Sequence, residues 1–203
     1  YAIMLMLMCT RKMNQTMLRA AAQDYTLPGK MGRDLSNCTV GVIGTGKIGR
    51  TVIAHLQGFG CKILAYDLYQ NDEVKKIAKY VPLETLIAES DVITLHTNAT
   101  EENHHLLNAD AFAKMKDGTI LINTARGGLI VEEALVDALQ SGKVYGAGLD
   151  VIRDEPPKGD NPLLHQDNAA ITAHIAWLTR ASRLRAIDIA IDNFKAYLRG
   201  EPV

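Results

Sequence analysis

Cysteine is scarce in this chain: Cys9, Cys38 and Cys61 are odd in number, far apart and outside any Cys-x-x-Cys or Cys/His spacing. A disulfide framework is thereby excluded, no metal site is expected, and a reducing cytoplasm is the expected setting. An excess of charge of one sign is missing too. With 22 Lys plus Arg against 23 Asp plus Glu the formal net charge is -1, so neither nucleic acid nor an anionic membrane surface is indicated as a partner. Long hydrophobic runs are also lacking. The longest, Tyr1 to Cys9, is less than half of the roughly 20 residues a membrane-spanning helix needs. No basic segment or small-residue cleavage site frames it as a signal peptide. Internal repeats, low-complexity tracts and charge blocks are absent as well.

What is present is the composition of a folded domain, 47% apolar and 22% charged over 203 residues, enough for one core and too little for two ordinary domains. Residues 1–203 are therefore expected to form one domain. Tyr1 to Ala22 contains no Gly or Pro and turns from wholly apolar to amphipathic around Arg11 and Lys12, which predicts a single leading helix whose first half is buried all round. No Ser, Thr, Asp or Asn precedes Tyr1 to cap that helix, so the expectation is a truncated element and a chain that is a fragment. Leu27-Pro28-Gly29-Lys30-Met31-Gly32 reads as a loop.

From Thr39 onward short apolar runs alternate with helix-length amphipathic ones. Strands are predicted at Thr39 to Ile43, Lys62 to Tyr66, Asp91 to Leu95, Thr119 to Asn123, Gly146 to Leu149 and Ala169 to Thr172. Helices are predicted at Ile48 to Phe59, Leu83 to Glu89, Ala109 to Met115, Val131 to Ser141 and about Thr179 to Arg199. The strands are Val, Ile and Leu runs without alternation, as a parallel sheet covered on both faces requires. The fold class is thus α/β, a doubly wound parallel sheet of the dinucleotide-binding, Rossmann-like kind.

The first predicted strand runs into Gly44-Thr45-Gly46-Lys47-Ile48-Gly49 at the mouth of a helix. Glycines so placed let the backbone turn tightly, approach a pyrophosphate and pack the helix on the sheet, while the helix N-terminus supplies positive potential. The next strand ends at Asp67, at the distance expected of a carboxylate that accepts hydrogen bonds from the adenosine ribose. Leu68 and Tyr69 follow where a 2'-phosphate would want a basic residue, so NAD is favoured over NADP. Beyond later strand ends stand Arg126, Glu155 and His174. Singly, each has a bland reading as surface charge, solvated loop or packing beside Trp177, the only tryptophan. Together, a guanidinium that holds a carboxylate bidentately and a His supported by a carboxylate form a set suited to moving a hydroxyl proton as hydride leaves or arrives.

Four segments carry a resemblance: Gly44-Thr45-Gly46-Lys47-Ile48-Gly49, Asn123-Thr124-Ala125-Arg126-Gly127-Gly128, Gly148-Leu149-Asp150-Val151 with Glu155-Pro156, and Thr172-Ala173-His174-Ile175-Ala176-Trp177. In order through residues 39 to 203, they resemble the D-isomer-specific 2-hydroxyacid dehydrogenase family. The resemblance implies that Arg126 binds the carboxylate and carbonyl of a 2-oxo acid, that His174 is the general acid/base and that Glu155 holds and tunes His174. It implies cofactor contacts from Lys47 and Ile48 at the pyrophosphate, Asp67 at the ribose, Thr97, Asn98 and Asn103 in the loop after Leu95-His96, Thr124 and Ala125, and Asp150 toward the nicotinamide carboxamide. Asn98 and Ala173 stand where the family usually has Pro, which would stiffen both loops.

The same resemblance implies a substrate-binding domain before this one, absent from the chain, and a homodimer in which the Tyr1 to Met8 helix finds cover. It leaves the substrate open. Asp160-Asn161-Pro162-Leu163-Leu164 is similar to glycerate dehydrogenases and hydroxypyruvate reductases, whereas Glu102-Asn103-His104-His105-Leu106 and Met115-Lys116-Asp117-Gly118 are similar to D-lactate and D-hydroxyisocaproate dehydrogenases. His104-His105 with Glu101 and Glu102 reads as a solvated polar turn. Two other functions compete with an NAD-dependent oxidoreductase. A non-catalytic NAD(H)-sensing, corepressor-like module would not need the three polar residues together, and a methyltransferase using the same glycine loop leaves them unexplained.

Overall fold

In the computed structural model residues 1–201 are described, and they fall into two compact units, Tyr1–Ala173 and the segment from His174 onward. The first opens with two helices, α1 (Ala2–Thr10) and α2 (Met13–Ala21). Then follow β1 (Thr39–Ile43), α3 (Lys47–Leu56), β2 (Lys62–Tyr66), a short α4 (Asp72–Lys75) and β3 (Lys79–Tyr80). The remainder of this unit is α5 (Leu83–Glu89), β4 (Val92–Leu95), α6 (Ala109–Lys114), β5 (Thr119–Asn123), α7 (Glu132–Gln140), β6 (Val144–Leu149) and β7 (Ala169–Ile171). The strands form one sheet in the order β3-β2-β1-β4-β5-β6-β7, every neighbouring pair parallel. This is the predicted doubly wound architecture. Its strand order reverses between β1 and β4, where such sheets open a crevice at their carboxyl edge.

The pleat sends alternate residues to opposite faces. Val40 and Val42 of β1, with Ile120 and Ile122 of β5, join Leu5, Met6, Ile53 and Leu56 on one face. Ile43 and Leu121 join Leu86, Phe112 and Leu135 on the other. Fully burying each such side chain contributes on the order of 1.5–3 kcal/mol, and the two-faced cover explains why the strands read as unbroken apolar runs. Helix and strand limits fall within a residue or two of the predicted ones, except that the Ile48 to Phe59 helix ends at Leu56 and continues as a 3-10 turn, Gln57–Phe59.

The leading segment differs from expectation. It is two helices rather than one, broken at Lys12, whose backbone is left-handed at φ 50°. No Gly or Pro marks the break; tertiary contacts impose it. The Thr10 carbonyl accepts from Arg33 N–H at 2.8 Å, and the Lys12 ammonium and Arg33 guanidinium both stack on Tyr145. Burial of the first half is one-sided, since Leu5, Met6 and Cys9 are buried while Met4 is exposed. Nor does α1 wait for a partner copy to cover it. A Cβ on Gly148 of β6 would stand 2.9 Å from Leu5 Cβ, so glycine lets the helix lie directly on the chain's own sheet.

The second unit is largely helical. His174 opens it at a left-handed φ of 55°, and the Trp177 indole N–H donates to the His174 carbonyl at 2.9 Å. The Thr179 hydroxyl caps α8 (Arg180–Leu198) by accepting from Ser182 N–H, and no residue of that helix is buried. Among the described residues no helix is long and apolar enough to cross a membrane.

Candidate active site at the carboxyl edge of the sheet

Because every strand runs the same way, the loops after β1, β2, β4, β5 and β6 leave the sheet at one edge. The three glycines after β1 do different work there. Gly44 has φ 92°, and a Cβ on it would meet the His96 carbonyl oxygen at 2.5 Å, so only glycine lets the loop pass the end of β4. A Cβ on Gly49 would lie 1.9 Å from the Gly44 carbonyl oxygen, and glycine therefore seats α3 against the turn. A Cβ on Gly46 would meet nothing of the protein within 4 Å. The space above Gly46 is kept clear of side chains while α3 begins at Lys47 with no side-chain cap and no acid in its first turn. Uncapped N–H groups and a positive helix end facing cleared space fit a pyrophosphate. Lys47 and Ile48 stand exposed at that end.

Asp67 follows β2 and is already engaged. One carboxylate oxygen accepts from Thr45 N–H and, at 3.1 Å, from the Thr45 hydroxyl, and the other accepts from Tyr69 N–H at 3.0 Å. Burial works against its charged form, yet the hydrogen bonds from Tyr69, Thr45 and Leu68 outweigh it and hold the carboxyl below its ordinary value. The charge expected to face a ribose is thus locked in place.

After β4, burial pushes the His96 imidazole down to about 4. Its Nε2 shares a 2.9 Å hydrogen bond with the Thr94 hydroxyl. Thr97 and Asn98 come next in a loop braced by Asn103, whose amide donates to the Asn98 carbonyl at 2.7 Å and whose oxygen accepts from Thr100 N–H at 2.8 Å. Asn103 thereby supplies stiffness at the position where proline is missing. His104 and His105 stack at 3.7 Å between ring centroids, and His105 N–H donates to the Gly128 carbonyl. Among the described residues no group of three or more His, Cys, Asp or Glu side chains could hold a metal ion.

After β5, the buried Asn123 shapes the turn that carries Thr124, Ala125 and Arg126. Its oxygen accepts from Ala125 N–H and its amide donates to the Arg126 carbonyl, both at 2.9 Å. The Arg126 side chain is exposed and donates to the Ala125 carbonyl at 2.7 Å. Glycine is again required behind it, since a Cβ on Gly127 would meet the Ile152 carbonyl oxygen at 2.0 Å. After β6, Asp150 is fully buried and accepts from the Thr172 hydroxyl at 2.7 Å. Glu155 accepts from Ile152 N–H at 3.0 Å. The loop bearing it is tied at both ends to α7 by Glu132, a buried carboxylate that accepts from Arg153 N–H and, at 3.0 Å, from the Asn161 amide. His174 belongs to the second unit.

Residues 3–176 match the family model described as D-isomer specific 2-hydroxyacid dehydrogenase, NAD binding domain. The chain belongs to that family. Its dinucleotide is NAD, in keeping with the glycine loop, the uncapped helix and Asp67. This family member is 48% identical over 171 residues to a hydroxypyruvate reductase of Blautia hydrogenotrophica, covering 84% of this chain and 53% of the relative. It is 41% identical over 194 residues to a D-lactate dehydrogenase of Lactiplantibacillus plantarum, covering 89% of this chain and 58% of the relative. The structure of D-lactate dehydrogenase from Aquifex aeolicus complexed with NAD and lactic acid superposes with a TM-score of 0.92 at 34% identity, over 98% of this chain and 65% of that one. The chain therefore spans little more than half the length of the two relatives.

Sequence reasoning missed Glu132 and Thr45 as site-shaping residues, and met Asn123 only inside a motif. For Asn123 a signal existed, a polar residue closing an apolar strand. For Glu132 none did, because its partners lie 21 and 29 residues away.

Proposed function

We propose that this chain is the nucleotide-binding and proton-transferring part of an NAD-dependent D-2-hydroxyacid dehydrogenase that interconverts a 2-oxo acid and a D-2-hydroxy acid. The observation that carries the reading is the cleared, uncapped helix end beside an ionised Asp67, on the same sheet edge as the loops of Arg126, Asp150 and Glu155. The relatives' names, a reductase and a dehydrogenase, favour an enzyme over a sensing module.

In this reading Gly44, Gly46 and Gly49 with Lys47 and Ile48 receive the pyrophosphate, and Asp67 accepts from the adenosine ribose. Thr97, Asn98, Asn103, Thr124 and Ala125 line the cofactor, and Asp150 takes the carboxamide. When bound, NADH supplies the hydride. Arg126 neutralises the substrate carboxylate and orients the carbonyl. His174 donates a proton to the carbonyl oxygen in reduction and removes it from the hydroxyl in oxidation.

The substrate half of the pocket and the lid that excludes water belong to a domain preceding this one, so the 203-residue chain binds NADH but turns over poorly alone. Exposed Met17, Leu18, Tyr25, Leu27 and Met31 give a homodimer an apolar surface to bury, and the free Cys9, Cys38 and Cys61 suit the cytoplasm.

The test is reduction of pyruvate and of hydroxypyruvate by the intact two-domain protein with NADH. His174→Ala should lower kcat by about a hundredfold or more, the usual worth of a positioned acid/base, with NADH affinity within about twofold of the parent. Equal turnover in that variant would refute the assignment.

A further inference from the structure

Thr45, the residue between the first two glycines, is buried and makes hydrogen bonds that a glycine loop does not need for its turn. Its hydroxyl lies 2.7 Å from the hydroxyl of Tyr80, which comes from β3, a strand of only two residues at the sheet edge. Tyr80 in turn accepts from Asn71 N–H at 3.0 Å, and Asn71 caps α4 through its side chain. The direction of every proton is forced. A backbone N–H can only donate and an ionised carboxylate can only accept. The Tyr80 oxygen is therefore acceptor to Asn71, its proton goes to the Thr45 oxygen, and the Thr45 proton goes to Asp67. The chain runs from a helix cap, through two hydroxyls, to the carboxylate assigned to the ribose.

We propose that Tyr80 and Thr45 are positioning residues that set cofactor specificity, orienting the Asp67 carboxylate for the 2'- and 3'-hydroxyls of NAD and against a 2'-phosphate. This rests on the reading of Asp67 given above. The Thr45 N–H, the Thr45 hydroxyl and the Tyr69 N–H hold the carboxylate by both of its oxygens. With both oxygens held, the carboxylate keeps one tilt toward the ribose. A carboxylate held there cannot swing aside to admit a phosphate, and its undiminished negative charge repels one. With the relay cut, Asp67 keeps its charge and its backbone donors but loses the hydroxyl that fixes its tilt.

The test is titration of the full 203-residue chain with NADH and separately with NADPH, for wild type, Tyr80→Phe, Thr45→Val, the double variant and Thr45→Ser. Tyr80→Phe and Thr45→Val should each weaken NADH by about three- to tenfold, as loss of one or two hydrogen bonds does, with NADPH weakened less, so the preference for NADH narrows. The double variant should be no worse than Thr45→Val alone, because both changes cut one relay. Thr45→Ser, which keeps the hydroxyl, should restore the wild-type ratio. Equal weakening of both nucleotides, additive losses, or unchanged binding in folded variants would overturn the proposal, as would failure of Thr45→Ser to restore the ratio if the other variants do not fold. Asp67→Asn separates the two layers: an unchanged NADH preference there refutes the reading of Asp67, whereas a lost preference there beside an unchanged one in Tyr80→Phe and Thr45→Val refutes only the relay.

Discussion

The two ends of the candidate site are built differently. At the nucleotide end, after β1 and β2, the functional side chain is itself held: Asp67 is bound by Thr45 and Tyr69, and Thr45 by Tyr80. At the proposed substrate end, after β5 and β6, Asn123 and Glu132 hold the backbone, and the exposed side chains of Arg126 and Glu155 bond to backbone groups within three residues. The contrast suits the two ligands the family handles. A dinucleotide docks on a cradle complete within one domain, so pre-organisation lowers the cost of binding it. For the proposed acid substrate a rigid backbone under exposed side chains fixes where those side chains start while leaving them room to turn.

The most disruptive way to probe this contrast is to fill the glycine contacts under each end. Gly49→Ala and Gly127→Ala put a methyl at 1.9 and 2.0 Å from backbone oxygens, at or beyond the ~3 kcal/mol upper range of overpacking. Denaturant unfolding should register a similar loss in both. NADH binding should vanish in Gly49→Ala and persist in whatever Gly127→Ala folds; loss in both would show that the ends are not independent.

A slightly smaller effect comes from pH, and it acts on the nucleotide end. Burial lowers His96 from 6.5 to about 4, so the unfolded chain takes up a proton before the folded one does. Its contribution to stability is complete above about pH 6.5, declines as pH falls toward 4 and levels off below, a loss of about 3 kcal/mol at most. Between pH 7 and pH 4 the wild type should lose more stability than His96→Asn by about that amount, and equal losses would show that His96 is protonated without cost.

The mildest change sharpens the substrate end. Glu132→Ala strands the Arg153 N–H and the Asn161 amide, a loss of about 2 kcal/mol. In the intact protein it should lower turnover while leaving the NADH dissociation constant alone. Equal damage to both would mean that the Glu155 loop supports the nucleotide as well.

Much of this was legible from residue order. Strands such as Thr39–Ile43, Lys62–Tyr66 and Thr119–Asn123 stand where the apolar runs predicted them, because a strand covered on both faces must be apolar throughout. The glycine loop and Asp67 were readable because backbone conformation and spacing along one β-α-β unit dictate them. The β3 strand was not, since two residues, Lys79–Tyr80, carry no period. The break at Lys12 was not either, because no local breaker marks it; its contacts come from Arg33 and Tyr145, in distant parts of the chain.

By itself, then, the sequence determined the α/β class, the apolar strand runs, the helices from Leu83 onward, and which residues stand at strand ends with chemistry to offer. These follow from side-chain polarity and local backbone preference, which act over a few residues. Only the tertiary structure decided that Asp67 is held by Thr45 and Tyr80, that Asn103 braces the loop lacking proline, and that Glu132 clamps the Glu155 loop. Hydrogen bonds of this kind join groups far apart in the chain, and a buried polar atom takes whichever partner the packed fold brings within reach.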